Sequence, residues 1–133
     1  MSEHLFLYGT LRPEDAPEEI RSAVTGLRSV GEGAVPGLLY DLGEYPGAVI
    51  DAEAKQRIFG TVYQLPEDQT VLSRMDTYED FRPAAPDESL FLRIRQQVEM
   101  DARGSVECWM YVYNQPLLGA PVVTGGRWRN RNA

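Results

Sequence analysis

Phe91-Leu92-Arg93-Ile94-Arg95-Gln96-Gln97-Val98-Glu99-Met100, followed by Asp101-Ala102-Arg103-Gly104 and then Ser105-Val106-Glu107-Cys108-Trp109-Met110-Tyr111-Val112-Tyr113, is the stretch that decides the fold. Two runs rich in β-branched and aromatic residues, separated by a short polar turn ending in glycine, predict two strands joined as a hairpin. Side chains alternate across a strand. Val106, Cys108, Met110 and Val112 therefore share one face, and Glu107, Trp109, Tyr111 and Tyr113 share the other. The first set reads as aliphatic core, which makes Cys108 a small apolar packing residue and not a nucleophile. The second is either a polar-capped outer face or the wall of a cavity, and an outer or partly covered face is the expectation.

Outward from the hairpin, more strands appear. Arg57 to Leu65 alternates with Ile58, Gly60, Val62 and Gln64 on one side and Phe59, Thr61, Tyr63 and Leu65 on the other. Pro66 then precedes the clearest helix, expected over 67–80, which the proline-interrupted run from Phe81 to Pro86 must stop. Near the start, His4 to Tyr8 predicts a short buried strand ended by Gly9-Thr10, with His4 an ordinary strand-start residue. A polar loop leads to a helix over 18–24, with Pro17 at its start and Gly26 beyond its end. Val30 to Leu42 is one strand or two broken ones, Gly43 to Gly47 is a turn, and Ala48 to Ile50 is a strand. Many strands with one or two helices predict an α+β fold, a small mixed β-barrel or strongly curved sheet flanked by a few helices. Strand order is not legible. The expected organisation is a single domain over 1–125 and a polar tail over 126–133, with Arg127-Trp128-Arg129-Asn130-Arg131 read as a solvated terminus.

Composition narrows the chemistry. The chain has 133 residues, which fits one domain. Its 13 basic and 20 acidic side chains give a net charge of −7, so it has no general attraction to nucleic acid or an anionic membrane. No apolar run approaches the ~20 residues of a membrane span, and Met1 to Tyr8 lacks the basic start of a secretion signal. The expectation is a cytoplasmic protein with no membrane or nucleic-acid partner. A single cysteine excludes an internal disulfide framework and a multi-cysteine metal site. A single histidine excludes a His-rich metal cluster, and any Ser–His or Cys–His mechanism would have to run through His4. Asp41, Glu44 and Asp51 form no recognisable metal loop.

Two places carry chemistry. In the helix, Leu72 and Met75 define an apolar stripe, and Glu79, four residues after Met75 and seven after Leu72, points between them. Asp76 lies at the edge of the same stripe. A carboxylate turned inward is desolvated, which raises its pKa and suits it to proton transfer near neutral pH. The alternative is that Glu79 sits at a frayed helix end and reaches water. The second place is Tyr8-Gly9-Thr10-Leu11-Arg12, where a strand ends at a glycine and successive N–H groups are free to hold a carboxylate or oxyanion. The alternative there is an ordinary turn, with Arg12 solvated or ion-paired.

In order along the chain, Phe6-Leu7-Tyr8-Gly9-Thr10-Leu11-Arg12, Gly37 to Ala48, Gly60-Thr61-Val62-Tyr63, Met75-Asp76-Thr77-Tyr78-Glu79, Trp109 to Tyr113 and a glycine-containing stretch ending at Trp128 resemble the gamma-glutamyl cyclotransferase-like family, in its small gamma-glutamylamine cyclotransferase-like branch. The resemblance implies a small mixed barrel with helices around it and a cavity at one side. It implies that Tyr8, Gly9, Thr10 and Leu11 form the substrate loop and that Glu79 is the catalytic acid/base. It further implies a cyclotransferase acting on a gamma-glutamyl amine or related small molecule: the substrate's α-amine attacks its own γ-carbonyl and releases 5-oxoproline. That reaction uses no metal, cofactor or covalent intermediate. Two positions depart from the family pattern: Phe91-Leu92-Arg93 stands where Tyr-x-Arg is common, and Asp80 stands where a glycine usually follows the acid. The alternative is a non-catalytic small-metabolite-binding protein on the same scaffold. Oligomeric state is not legible.

Overall fold

In the computed structural model, which describes residues 3–9, 16–68, 70–101 and 104–128, the hairpin forms as its alternation requires. Strands β5 (Phe91–Met100) and β6 (Gly104–Tyr113) pair antiparallel in unbroken register from Phe91 opposite Tyr113 to Met100 opposite Gly104. The other elements are β1 (His4–Leu7), α1 (Glu18–Val24), β2 (Arg28–Asp41), β3 (Pro46–Ile50), β4 (Arg57–Gln64) and α2 (Thr70–Tyr78), with a short 3₁₀ turn at Pro86–Glu88. The sheet order is β3-β2-β4-β1-β6-β5, and β2 pairs back onto β5. Five strands therefore close a barrel and β3 lies outside it on β2. The barrel is mixed because β1 runs parallel to β6, with Leu5 opposite Trp109, while its other pairings are antiparallel. The α+β barrel expected from the sequence is the fold observed.

The glycine-rich segment before Asp41 is one continuous strand of 14 residues, with a bulge between Ser29 and Gly31. Its glycines serve closure. A Cβ at Gly33 would lie 2.5 Å from Val98 Cγ1, beside the Ala34–Glu99 pairing where β2 meets β5. Any side chain there forces the closing strands apart.

Alternation sorts the core into two clusters. Phe6, Val35, Ile58, Val62, Val98, Cys108 and Met110 fill the barrel. Leu5, Leu7, Ile20, Val24, Tyr63, Met75 and Tyr111 lie on its outside, beneath the helices. Cys108 is buried as expected, and burial pushes its thiol up to about 12, out of reach of nucleophilic use. The other face of β6 carries a buried Tyr111, with Trp109 and Tyr113 partly buried beside it. Of the segment expected as a polar tail, residues 126–128 are described. They pack on the barrel: Phe59 N–H donates to the Gly126 carbonyl at 2.9 Å, Trp128 is buried and the Arg127 guanidinium lies 4.5 Å from the Phe59 ring centre. Trp128 is thus not part of a solvated terminus; an indole buries too much apolar surface to be left in water when a barrel end is open to it.

Helix α2 is shorter than the expected 67–80. Asp68 Oδ1 accepts from the Thr70 N–H at 2.9 Å and from its hydroxyl at 2.7 Å, which starts the helix there. Its buried stripe is Val71, Met75 and Asp76, with Leu72 only partly covered. The direction of Glu79 still falls between Val71 and Met75 on one side and Asp76 on the other.

Candidate active site

Glu79 directly follows α2, its N–H still bonded to the Met75 carbonyl at 2.9 Å, and the helix end is locked. Phe81 N–H donates to the Asp76 carbonyl at 2.8 Å and Asp80 N–H to the Thr77 carbonyl at 3.2 Å. This is a Schellman cap, which demands a left-handed residue after the last helical one. Asp80 fills that place with φ 55°, the conformation the more usual glycine adopts freely. Asp80 thus takes the left-handed backbone that glycine would adopt more easily, at some conformational cost. The following loop is tied back: Leu90 N–H donates to the Asp80 carbonyl at 3.0 Å, and the fully buried Ser89 hydroxyl accepts from Arg82 N–H at 2.8 Å. Gln115 and Asn114 side-chain amides donate to the Ser89 carbonyl at 2.7 and 3.0 Å. The helix end that carries Glu79 is not frayed.

The electrostatics follow from this placement. Burial pushes the Glu79 carboxyl from 4.5 up to about 7. The negative end of a helix is also an unfavourable place for a carboxylate. The Glu79 charge acts on three phenols: Tyr8 at the exit of β1, Tyr45 in the β2–β3 turn, and Tyr111 on β6. All three are held above the ordinary tyrosine value, by burial first, so they stay neutral. Phe91 packs its ring 5.9 Å from Tyr45 and 5.5 Å from Tyr113, so the position that lacks the family's hydroxyl is filled by an aromatic cluster.

One turn before Glu79, Asp76 has a different environment. Arg93 forms a two-pronged pair with it, Nε to Oδ1 at 2.8 Å and an Nη to Oδ2 at 3.2 Å. The Tyr111 hydroxyl donates to Oδ1 at 2.6 Å. The Arg93 guanidinium stacks 4.2 Å from the Trp109 ring centre, and Arg95 stacks 4.1 Å from the same ring. The two acids of one helix face are thus unlike: Asp76 is satisfied by a cation and a phenol, and Glu79 is raised by burial.

The strand exit is tied to the helix through β6: Tyr8 bonds to the Tyr111 carbonyl, and the Tyr111 hydroxyl bonds to Asp76 on α2. Tyr8 itself is part of the frame. Its hydroxyl donates to the Tyr111 carbonyl at 2.5 Å and accepts from the Ala48 N–H. Gly9 does not use a positive φ to turn the chain; its need is closeness, because a Cβ there would sit 3.0 Å from Pro46 Cγ. Thr10 and Leu11, and Arg12 beside them, lie outside the described residues. Reading the sequence by periodicity missed Tyr45, Arg93 and Tyr111 as neighbours of the acids. The signals were a polar residue at the stripe's edge, Asp76, and an arginine on the strand face opposite Tyr111, since Arg93 pairs in register with it. Among the described residues, no group of three or more His, Cys, Asp or Glu is placed to hold a metal ion, and no helix is long and apolar enough to cross a membrane.

Comparison with known proteins shows the family and the fold. The family described as gamma-glutamyl cyclotransferase, AIG2-like, matches residues 5–130. A gamma-glutamylcyclotransferase family protein, YtfP, of Citrobacter rodentium is 29% identical over 134 residues, covering 96% of each chain. The solution structure of YtfP from Escherichia coli superimposes with a TM-score of 0.61 at 27% identity, over 98% of this chain and 99% of that one. The crystal structure of an AIG2-like protein from Mus musculus gives 0.72 at 22% identity, over 96% and 88%, a likeness of fold. The chain belongs to the gamma-glutamyl cyclotransferase, AIG2-like family.

Proposed function

We propose that this protein is a cyclotransferase that releases 5-oxoproline from a gamma-glutamyl amine or related small molecule, with Glu79 as general acid/base and the loop Tyr8-Gly9-Thr10-Leu11 as the substrate-binding segment. The observation that carries the reading is the Glu79 carboxyl, pushed up to about 7 by burial at a locked helix end, within electrostatic reach of the exit of β1. Family membership supports the reaction class.

The chemistry asks for little else. The substrate's α-amine is an ammonium at neutral pH and cannot attack until it loses a proton. Glu79 as carboxylate takes that proton. The freed nitrogen attacks the γ-carbonyl carbon, the five-membered ring closes, and the bond from that carbon to the leaving nitrogen breaks. Of the three ammonium protons, one stays on the ring nitrogen and two end on the leaving amine, the first by way of Glu79. An acid near 7 both accepts and returns a proton at neutral pH, which an ordinary carboxyl does poorly. Ring closure is intramolecular, so holding the glutamyl chain bent supplies much of the acceleration. Backbone N–H groups after Gly9 are suited to the α-carboxylate or to the oxyanion of the tetrahedral intermediate.

The test is incubation with a panel of gamma-glutamyl amines and peptides and assay of 5-oxoproline. Turnover of at least one member is expected, with Glu79→Gln slower by about 10²–10⁴. Equal rates for the two proteins would remove Glu79 from the mechanism. Saturable binding of a panel member with no turnover by either would leave the binding-protein alternative.

A further inference from the structure

The proposed reaction leaves Arg93 without a task, yet its contacts close around the segment of chain that carries Glu79. Its guanidinium holds the Asp76 carboxylate on both oxygens, at 2.8 and 3.2 Å. The same guanidinium lies 5.7 Å from the centre of the Phe81 ring, within cation–π range. Asp76 and Phe81 are also tied to each other, since the Phe81 N–H donates to the Asp76 carbonyl at 2.8 Å. Glu79 lies between them in the chain, with its own N–H bonded to the Met75 carbonyl at 2.9 Å. The run from Asp76 to Phe81 is therefore closed by its own backbone and gripped at both ends by one side chain.

The grip is anchored to the barrel. Arg93 on β5 stands opposite Tyr111 on β6 in the unbroken register of the hairpin. The Tyr111 hydroxyl adds a third bond to Asp76 at 2.6 Å, and the Trp109 ring backs the guanidinium at 4.2 Å. Little of this is open to water: the Arg93 and Asp76 side chains are 17% and 11% exposed. From this we infer that Arg93 is a positioning residue: by holding Asp76 and Phe81 together it fixes the backbone that presents Glu79, acting through those two residues and not on the substrate. The inference rests on the cyclotransferase reading, which makes Glu79 the reacting acid. A general base works only with its oxygen within hydrogen-bond reach of the proton it takes, and small displacements cost rate steeply. Lysine is no substitute in this role. An ammonium is a point charge, whereas a planar guanidinium bridges two oxygens and stacks on rings at once.

Arg93→Lys is the test, because it keeps a positive charge beside Asp76 and removes the two-pronged geometry. It is read by amide hydrogen exchange and by steady-state kinetics, at a temperature where the unfolding curve shows the variant fully folded. The Glu79 and Phe81 amides should exchange faster by about tenfold or more. The Phe59 and Val123 amides, bonded to the Gly126 and Leu39 carbonyls, should change by less than about twofold. On a gamma-glutamyl substrate, kcat should fall by about tenfold or more while KM stays within about threefold. Unchanged exchange at Glu79 and Phe81, equal acceleration of all these amides, or an unchanged kcat would each overturn the inference. If Arg93→Lys does not fold, Phe81→Leu decides, because it releases only the ring end of the grip and leaves the Asp76 pair in place. The Glu79 amide should then exchange faster by about threefold, and no change there would overturn the inference. Exchange needs no turnover. A wild-type protein that turns over no gamma-glutamyl compound would refute the cyclotransferase reading, while the exchange rates would still establish or refute the grip.

Discussion

The inside of the barrel and the face beneath the helices are built from the same strands and are chemically opposite. On β6, Cys108 and Met110 turn inward among Phe6, Val35, Ile58 and Val62, an apolar interior. Trp109 and Tyr111 turn outward, where Tyr111 meets a buried aspartate, an arginine, and the charge of a glutamate held near neutrality. Closure satisfies the backbone hydrogen bonds of the barrel without side-chain help, so the inner face is free to be greasy. The outer face is closed only by two helices and their connecting loops, and polar groups can be brought in there from several elements at once. The scaffold's stability and its chemistry are thus separated by the width of one strand.

That separation is breakable, and the largest effect is expected inside. Phe6→Ala removes a fully buried ring from the barrel and should cost about 3–5 kcal/mol in denaturant unfolding. An effect below about 1 kcal/mol would show that the interior is less tightly filled than its burial implies. On the outer face, Arg93→Met leaves Asp76 buried with no cation and should cost about 3 kcal/mol at neutral pH. A loss below about 1 kcal/mol would show that the guanidinium adds little to holding Asp76.

Glu79→Gln sharpens the contrast because its sign is reversed. The folded protein raises this acid from 4.5 to about 7, so it binds a proton there more tightly than the unfolded chain does. Stability must therefore fall as pH rises from about 4.5 to about 7, and the cost of the charge is fully present above that range. At pH 8 the substitution should stabilise the fold by about 2–3 kcal/mol, and at pH 4 it should be nearly neutral. Destabilisation at pH 8 would mean that the carboxylate is better satisfied than burial suggests. The smallest effect belongs to the helix end. Asp80→Gly relieves a left-handed aspartate and should stabilise by about 0.5–1 kcal/mol, with the melting temperature as readout. A loss of stability there would mean that the Asp80–Arg82 contact at 2.9 Å outweighs the backbone strain.

What the sequence made legible follows from local rules. The first helix has the expected bounds, Glu18–Val24, because a proline and a glycine bracket it. The hairpin and its two faces follow from strict alternation. The inward direction of Glu79 survives even though Val71 and not Leu72 is buried, since a helical stripe is wide enough to absorb a shift of one residue. Pairings between distant segments left no such mark. That β1 lies parallel to β6, and that β2 continues past the barrel to hold β3, depends on packing summed over the whole chain. The same holds for the site: Asp76, Arg93 and Tyr111 belong to three elements, and nothing local in any one of them announces the other two.

The most direct measurement of the central claim is the rate of 5-oxoproline release against pH for the wild-type protein on its best gamma-glutamyl substrate. With Glu79 as base in the free enzyme, kcat/KM should climb through a midpoint near 7 and level off above it, because the carboxylate form is the active one. A limb with its midpoint near 4.5, or the same profile in Glu79→Gln, would contradict the account.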